Sequence, residues 1–190
     1  MSIFNLSAKD LQNRLKFVVK EHHATRPHFD IRFEADGVLK SFVIDVTGPT
    51  MKPGAVRKVV MVGDHDPAHI YREGVIPKGE YGAGQMIVWD AGCIFPKGGG
   101  TSKSQDNEIL SQMFKEGEVN FFILARKLRG EFRLIREDFS KNTWLLIKVT
   151  DIYCTDEDLT KLNKSVISGI TIDDLKYPWK KTDDSNFNLF

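Results

Sequence analysis

The stretch His28–Asp45, HFDIRFEADGVLKSFVID, decides the fold class. Its Asp36-Gly37 pair lies between two runs of alternating apolar and polar residues. A two-residue hairpin turn of this kind needs positive φ at both central positions, which Asp-Gly tolerates. Such a turn pairs residue 35 with 38, 34 with 39, 32 with 41, 30 with 43 and 28 with 45. Because side chains alternate across a strand, Phe29, Ile31, Phe33, Phe42 and Ile44 share one face, which must be the core face. His28, Asp30 and Arg32 share the opposite face with Ser41 and Asp45, about 7 Å apart along one strand.

Outward from this hairpin the same alternation recurs, predicting strands at 16–20, 28–35, 38–45, 56–62, 85–90, 118–124, 130–136 and 143–149. Helical periodicity is confined to short pieces. Ser7-Ala-Lys-Asp10 resembles a capping box opening a helix to about Leu15, and 106–115 offers a second. Pro96–Asn107, PKGGGTSKSQDN, cannot bury apolar surface and reads as a mobile loop. Many short strands punctuated by turn residues predict a mainly β protein, a small closed or nearly closed β-barrel with short flanking helices. One domain accommodates all 190 residues, with a core at about 16–151 and a C-terminal tail at about 152–190.

A hydrophobic content of 41% and a charged content of 28% are those of an ordinary globular chain, and no apolar run is long enough to span a bilayer. The two cysteines, Cys93 and Cys154, form no Cys-x-x-Cys pattern and read as reduced thiols of a cytoplasmic protein. The net charge of +1 excludes a polycation that grips nucleic acid anywhere on its surface. Charge is nevertheless uneven. Arg126–Arg136, RKLRGEFRLIR, holds five basic residues and one acid, whereas 151–190 holds eight acids and five lysines. A basic strip on a neutral body suits a polyanion site, although the strip by itself reads rather as a solvated strand face.

Chemistry concentrates in Glu21–Arg32, EHHATRPHFDIR, which holds three of the five histidines. A turn at Arg26-Pro27 folds either His22 or His23 back beside His28 and Asp30. Two imidazoles and a carboxylate make a facial metal-ligand set with positions left open for water and substrate oxygens. Arg32 is placed to fork onto a phosphate. The other two histidines lie in Gly63–His69, GDHDPAH, with Arg57 upstream. The glycines of 73–90 do not form a nucleotide cradle, because no Lys-Ser/Thr ending and no helix follow them.

In order and spacing, FVVKEHHATRPHFDIRFEADGVLKS (17–41), VGDH (62–65), EGVIPKGEYGAGQMIVWD (73–90), KLRGEFRLIR (127–136), WLLIKVTD (144–151) and SVISGITIDDL (165–175) resemble the 3′-phosphoesterase domain of bacterial ATP-dependent DNA ligase D. No ligase or polymerase module accompanies them, so the resemblance is to a stand-alone member. It implies a small β-barrel enzyme that uses a divalent metal, manganese first. Such enzymes remove a 3′-terminal ribonucleoside and then the remaining 3′-phosphate, leaving a 3′-hydroxyl for DNA repair by end joining. By position, His22, His28 and Asp30 match the family's metal ligands, which favours His22 over His23. Arg32, Arg57 and His65 match its phosphate-binding and catalytic positions. The family's active-site tyrosine falls on His69. Its phosphate-contacting lysine is replaced by Asp45, Val46 or Thr47, and the acid two residues before His65 is Gly63. These departures bear on the monoesterase step rather than on the fold or the metal.

The expected partners are DNA or RNA-terminated DNA 3′ ends, together with a separate DNA ligase, polymerase or end-binding repair protein, and no membrane. The basic strip at 126–136 is expected to hold the nucleic-acid backbone near the end. The rival readings are a non-catalytic DNA-end-binding module of the same fold and an unrelated metal-dependent oxygenase.

Overall fold

The computed structural model describes residues 7–100, 102–138 and 140–175. The strands are β1 (Lys16–His23), β2 (Pro27–Ala35), β3 (Val38–Ile44), β4 (Val56–Met61), β5 (Gly74–Ile76), β6 (Gly84–Pro96), β7 (Glu118–Ala125), β8 (Arg129–Arg136) and β9 (Thr143–Lys148). The sheet runs β1-β2-β3-β4-β9-β8-β7-β6 and closes through an antiparallel β6–β1 pairing, with β5 appended to β6. Eight strands therefore form a closed antiparallel barrel, the predicted class. Closure removes the exposed edges that an open sheet would present.

The hairpin forms as its sequence predicts. Asp36 and Gly37 take φ of 54° and 73°. Ala35 pairs with Val38, Glu34 with Leu39, Arg32 with Ser41 and Asp30 with Val43. Phe29, Ile31, Phe33, Phe42 and Ile44 all enter the main core. Phe33 is its hub, with ring centroids 5.5, 5.8 and 5.3 Å from Phe17, Phe42 and Phe121. Residue 45 lies beyond the paired part of β3, and the exposed Asp45 accepts the Thr47 amide at 2.9 Å.

Two short helices flank the barrel. In α1 (Ala8–Gln12) the Ser7/Asp10 capping box forms in both directions, at 3.3 and 3.1 Å, although the helix ends before the predicted Leu15. The second, α2 (Lys103–Glu116), corrects the expectation of a mobile loop at 96–107, because its first turn lies inside that segment. Ser102 caps it, and buried Asp106 pairs with Arg14 at 3.2 Å. Leu110 and Phe114 supply the apolar contact that the polar run lacks, with Phe114 6.3 Å from both Phe33 and Trp144.

β6 continues six residues beyond the predicted end at Asp90. Gly92 there marks a crossing and not a turn, since a Cβ would stand 2.1 Å from the Leu124 carbonyl. A bulge opposite Val19/Lys20 lets β1 and β6 curve, with Val19 facing Asp90 and Lys20 facing Val88. Asp90 is wholly buried and accepts backbone N–H groups of Ala91, Arg126, Lys127 and Leu128 at 2.8–3.0 Å. Burial pushes its carboxyl up to about 6 against those donors. Leu159 joins the main core from beyond residue 151, and 165–175 packs on the outside of β1 and β6 through Val166, Ile167 and Ile172. Residues 176–190 of the expected tail lie outside the described residues. No described helix is long and apolar enough to cross a membrane, and both cysteines are free thiols.

Candidate metal and phosphate site

The faces of β1 and β2 that turn away from the core meet the segment 62–82 over a cavity of about 360 Å³. Register builds its floor. His22 pairs with His28 and Lys20 with Asp30, so alternation brings Lys20, His22, His28, Asp30 and Arg32 to one outer surface. The segment above contributes His65, His69, Arg72, Tyr81 and Gly82.

His22, His28 and Asp30 each offer a donor atom, and these atoms lie within 4.8 Å of one another. The imidazoles are oriented from behind. His22 Nε2 donates to the Gly82 carbonyl at 3.0 Å and His28 Nδ1 to the Arg26 carbonyl at 2.8 Å. The other ring nitrogens, Nδ1 of His22 and Nε2 of His28, face Asp30, 3.6 Å away in both cases. Such backing carbonyls are the usual outer partners of metal-ligating histidines. Gaps of 3.6 Å are long for hydrogen bonds, and bonds of about 2.1 Å to a central ion fit between the three donors. The donor set therefore fits a divalent ion. Asp30 stays ionised: burial opposes this, but His22, His28 and Arg32, the last 3.4 Å away, hold its carboxyl far below the usual range. The same contact with Asp30 raises His28.

His23 faces the other way and bonds Glu21 at 3.1 Å. The choice between the two histidines thus follows from strand parity.

His65 reaches the cavity through an isolated bridge to Leu39. The Ser41 hydroxyl donates to the Leu39 carbonyl and accepts from His65 Nδ1, both at 2.9 Å. Burial, and then the charge of Arg32, lower the His65 pKa, favouring the neutral ring. His69 stands exposed at the rim, with its carbonyl bonded to Lys20 Nζ at 2.8 Å.

Arg57 is not brought to this cavity. Two residues before the buried Val59 on β4, it shares that residue's inward-facing parity and donates to the Gly48 carbonyl at 3.2 Å. Asp45, Val46 and Thr47 are also outside the lining. The basic strip is displaced further. β8 lies four strands from β2 in either direction around the barrel. On that strip Arg133 pairs with Glu118 at 2.7 Å, and Lys127 turns over Trp89 to donate to the Leu162 and Lys164 carbonyls. No residue of the strip lines this cavity.

Sequence reasoning missed Lys20 and Arg72. Lys20 was findable, standing two residues before His22 on the same strand face. Arg72 comes from irregular backbone, where no periodicity announces a direction.

A family model described as the DNA Ligase D 3′-phosphoesterase domain matches residues 20–136. The chain is 37% identical over 145 residues to the multifunctional non-homologous end joining protein LigD of Pseudomonas aeruginosa, a match covering 75% of this chain and 16% of that one. It is 37% identical over 139 residues to the Mycolicibacterium smegmatis protein of the same name, covering 73% and 17%. It is 36% identical over 129 residues to the corresponding DNA repair protein of Mycobacterium tuberculosis, covering 68% and 15%. The chain thus spans about a sixth of the length of the curated relatives it matches.

Proposed function

Since the chain belongs to the DNA ligase D 3′-phosphoesterase domain family, we propose that it is a divalent-metal-dependent phosphoesterase of DNA 3′ ends. Its substrates are 3′-terminal ribonucleosides and 3′-phosphates, and its product is a ligatable 3′-hydroxyl. The observation that carries the reading is the convergence of His22, His28 and Asp30, each histidine backed by a backbone carbonyl. Beside it the cavity presents Lys20, Arg32 and Arg72 against the single carboxylate Asp30 among the described lining residues. An excess of positive charge in a partly enclosed site suits a phosphate ester.

A bound divalent ion, manganese in this proposal, supplies Lewis acidity toward a phosphoryl oxygen. His22, His28 and Asp30 hold that ion. Arg32 directs its guanidinium at the phosphate while anchored on Asp30, offsetting charge that builds in the transition state. His65 gives Nδ1–H to Ser41, and its lowered pKa favours the neutral ring, so Nε2 can take a proton from attacking water. His69 at the rim donates to a phosphate oxygen or to the terminal sugar. A ligase or polymerase activity would consume the product.

Incubation with manganese and a primer ending in one 3′ ribonucleotide tests the proposal. The expected products are first a 3′-phosphate and then a 3′-hydroxyl, with no reaction in chelator. An intact primer, or progressive digestion of an all-DNA strand, would overturn it.

A further inference from the structure

Lys20 is 1% exposed, yet its ammonium lines the cavity and donates to the carbonyls of His69, at 2.8 Å, and Arg72, at 2.9 Å. A buried charge is costly unless its protons are satisfied. Here two carbonyls of the covering segment accept two of the three, and the ammonium ties that segment to β1. The Arg72 amide in turn donates to the His69 carbonyl at 3.3 Å. The next residue, Glu73, is fully buried, and its carboxylate accepts the Val88 amide at 2.7 Å and the Ser165 hydroxyl. The backbone at residue 72 is therefore clamped on both sides, and the half-buried Arg72 lines the cavity from that fixed base. Asp30, the carboxylate of that lining, is already engaged by His22, His28 and Arg32.

We propose that Arg72 binds the second negative charge of a terminal phosphomonoester, and that Lys20 is the positioning residue that aims it. The proposal rests on the phosphoesterase reading and adds a selectivity to it. A 3′-phosphate is largely dianionic at pH 7 and a diester monoanionic, and electrostatic attraction scales with the product of charges. Arg32, bound to Asp30, serves both substrates. Arg72, on the opposite wall, favours the dianion.

Two measurements on the full chain test this. In the first, manganese-loaded wild type, Arg72→Gln and Arg72→Lys are compared on a 3′-phosphate primer and a 3′-ribonucleotide primer. Arg72→Gln is expected to raise KM about 30-fold for the monoester and about 5-fold for the diester, the scale of a lost charge-assisted contact. Arg72→Lys should recover part of the monoester loss. Equal losses on the two substrates, or none, would overturn the proposal. In the second, inorganic phosphate is titrated calorimetrically into metal-free wild type and Arg72→Gln, where at least about 10-fold weaker binding by the variant is expected. Equal phosphate affinity would overturn the proposal even if no primer were cleaved, whereas uncleaved primers with the affinity difference intact would overturn only the phosphoesterase reading. Lys20→Met should reproduce the monoester-selective loss of Arg72→Gln and add little to it in the double variant. Additive losses would remove Lys20 from the positioning role.

Discussion

Two surfaces of this barrel carry cations, and they are built in opposite ways. On β8 and its approaches, five basic residues fall within eleven consecutive positions, 126–136. Folding disperses them. Arg133 meets Glu118 across the strand pair, Arg136 lies over Trp144 at 5.7 Å, Lys127 turns onto carbonyls of the C-terminal segment, and Glu131 sits among them bonded to Lys97 at 2.6 Å. At the cavity, Lys20, Arg32 and Arg72 are separated by eleven and thirty-nine intervening residues, yet folding assembles them around one carboxylate. Charge density along a sequence is thus a poor guide to charge density in space. Strand register and neighbouring acids decide which cations retain a field that a polyanion can use.

The contrast breaks most readily at Asp30. Asp30→Ala should lower kcat/KM more than about 100-fold on both esters, because loss of even an outer metal partner costs about 10- to 100-fold. It should also abolish calorimetric manganese binding at this cavity. Near-wild-type turnover at saturating manganese would show that the convergence of His22, His28 and Asp30 is incidental, and the cavity would lose its distinction from the strip. A smaller effect sharpens the contrast from the other side. Arg129→Ala combined with Arg133→Ala removes two outward-facing cations of β8, four strands from β2, and should change KM for a 3′-phosphate primer less than about 3-fold. The slope of log KM against log salt should stay within the scatter of the wild type. A slope reduced by one to two would instead assign phosphate contacts to the strip.

What the sequence disclosed follows the same division. The Asp36-Gly37 turn sets the register of one hairpin, and with it the core face and the common face of His28, Asp30 and Arg32, because those relations depend only on local geometry. The eight predicted strands form for the same reason. Long-range relations were less legible. β6 was predicted to end at Asp90, whereas it runs on past Gly92, where a side chain would meet the Leu124 carbonyl of the neighbouring strand. The start of α2 was hidden by polar residues such as Asp106, whose partner Arg14 lies 92 positions away in the chain. Arg57 matched a motif but faces inward with Val59. Arg72 carries no motif and lines the cavity from irregular backbone whose carbonyl is held by Lys20 of β1.

The smallest expected effect concerns Glu118, where the strip's electrostatics can be isolated. Its carboxylate accepts from Asn120 at 3.1 Å and from Arg133 at 2.7 Å. These contacts, that of Asn120 foremost, hold its carboxyl below the ordinary range. A carboxylate whose pKa is depressed on folding adds stability above its unfolded value, near 4.3, and loses that contribution as pH falls through the folded value. Glu118→Gln should therefore lower Tm at pH 7 by less than about 2 °C, since exposed pairs contribute little. The difference from wild type should shrink as the pH is taken from 7 to 3, and in 1 M salt at pH 7 it should nearly vanish, because screening reaches an exposed pair freely. A difference that grew on acidification would mean that the charge of Glu118 opposes the fold. One indifferent to salt would place the Glu118–Arg133 pair in surroundings as sheltered as those of Asp30, and the two cationic surfaces would then differ in position but not in kind.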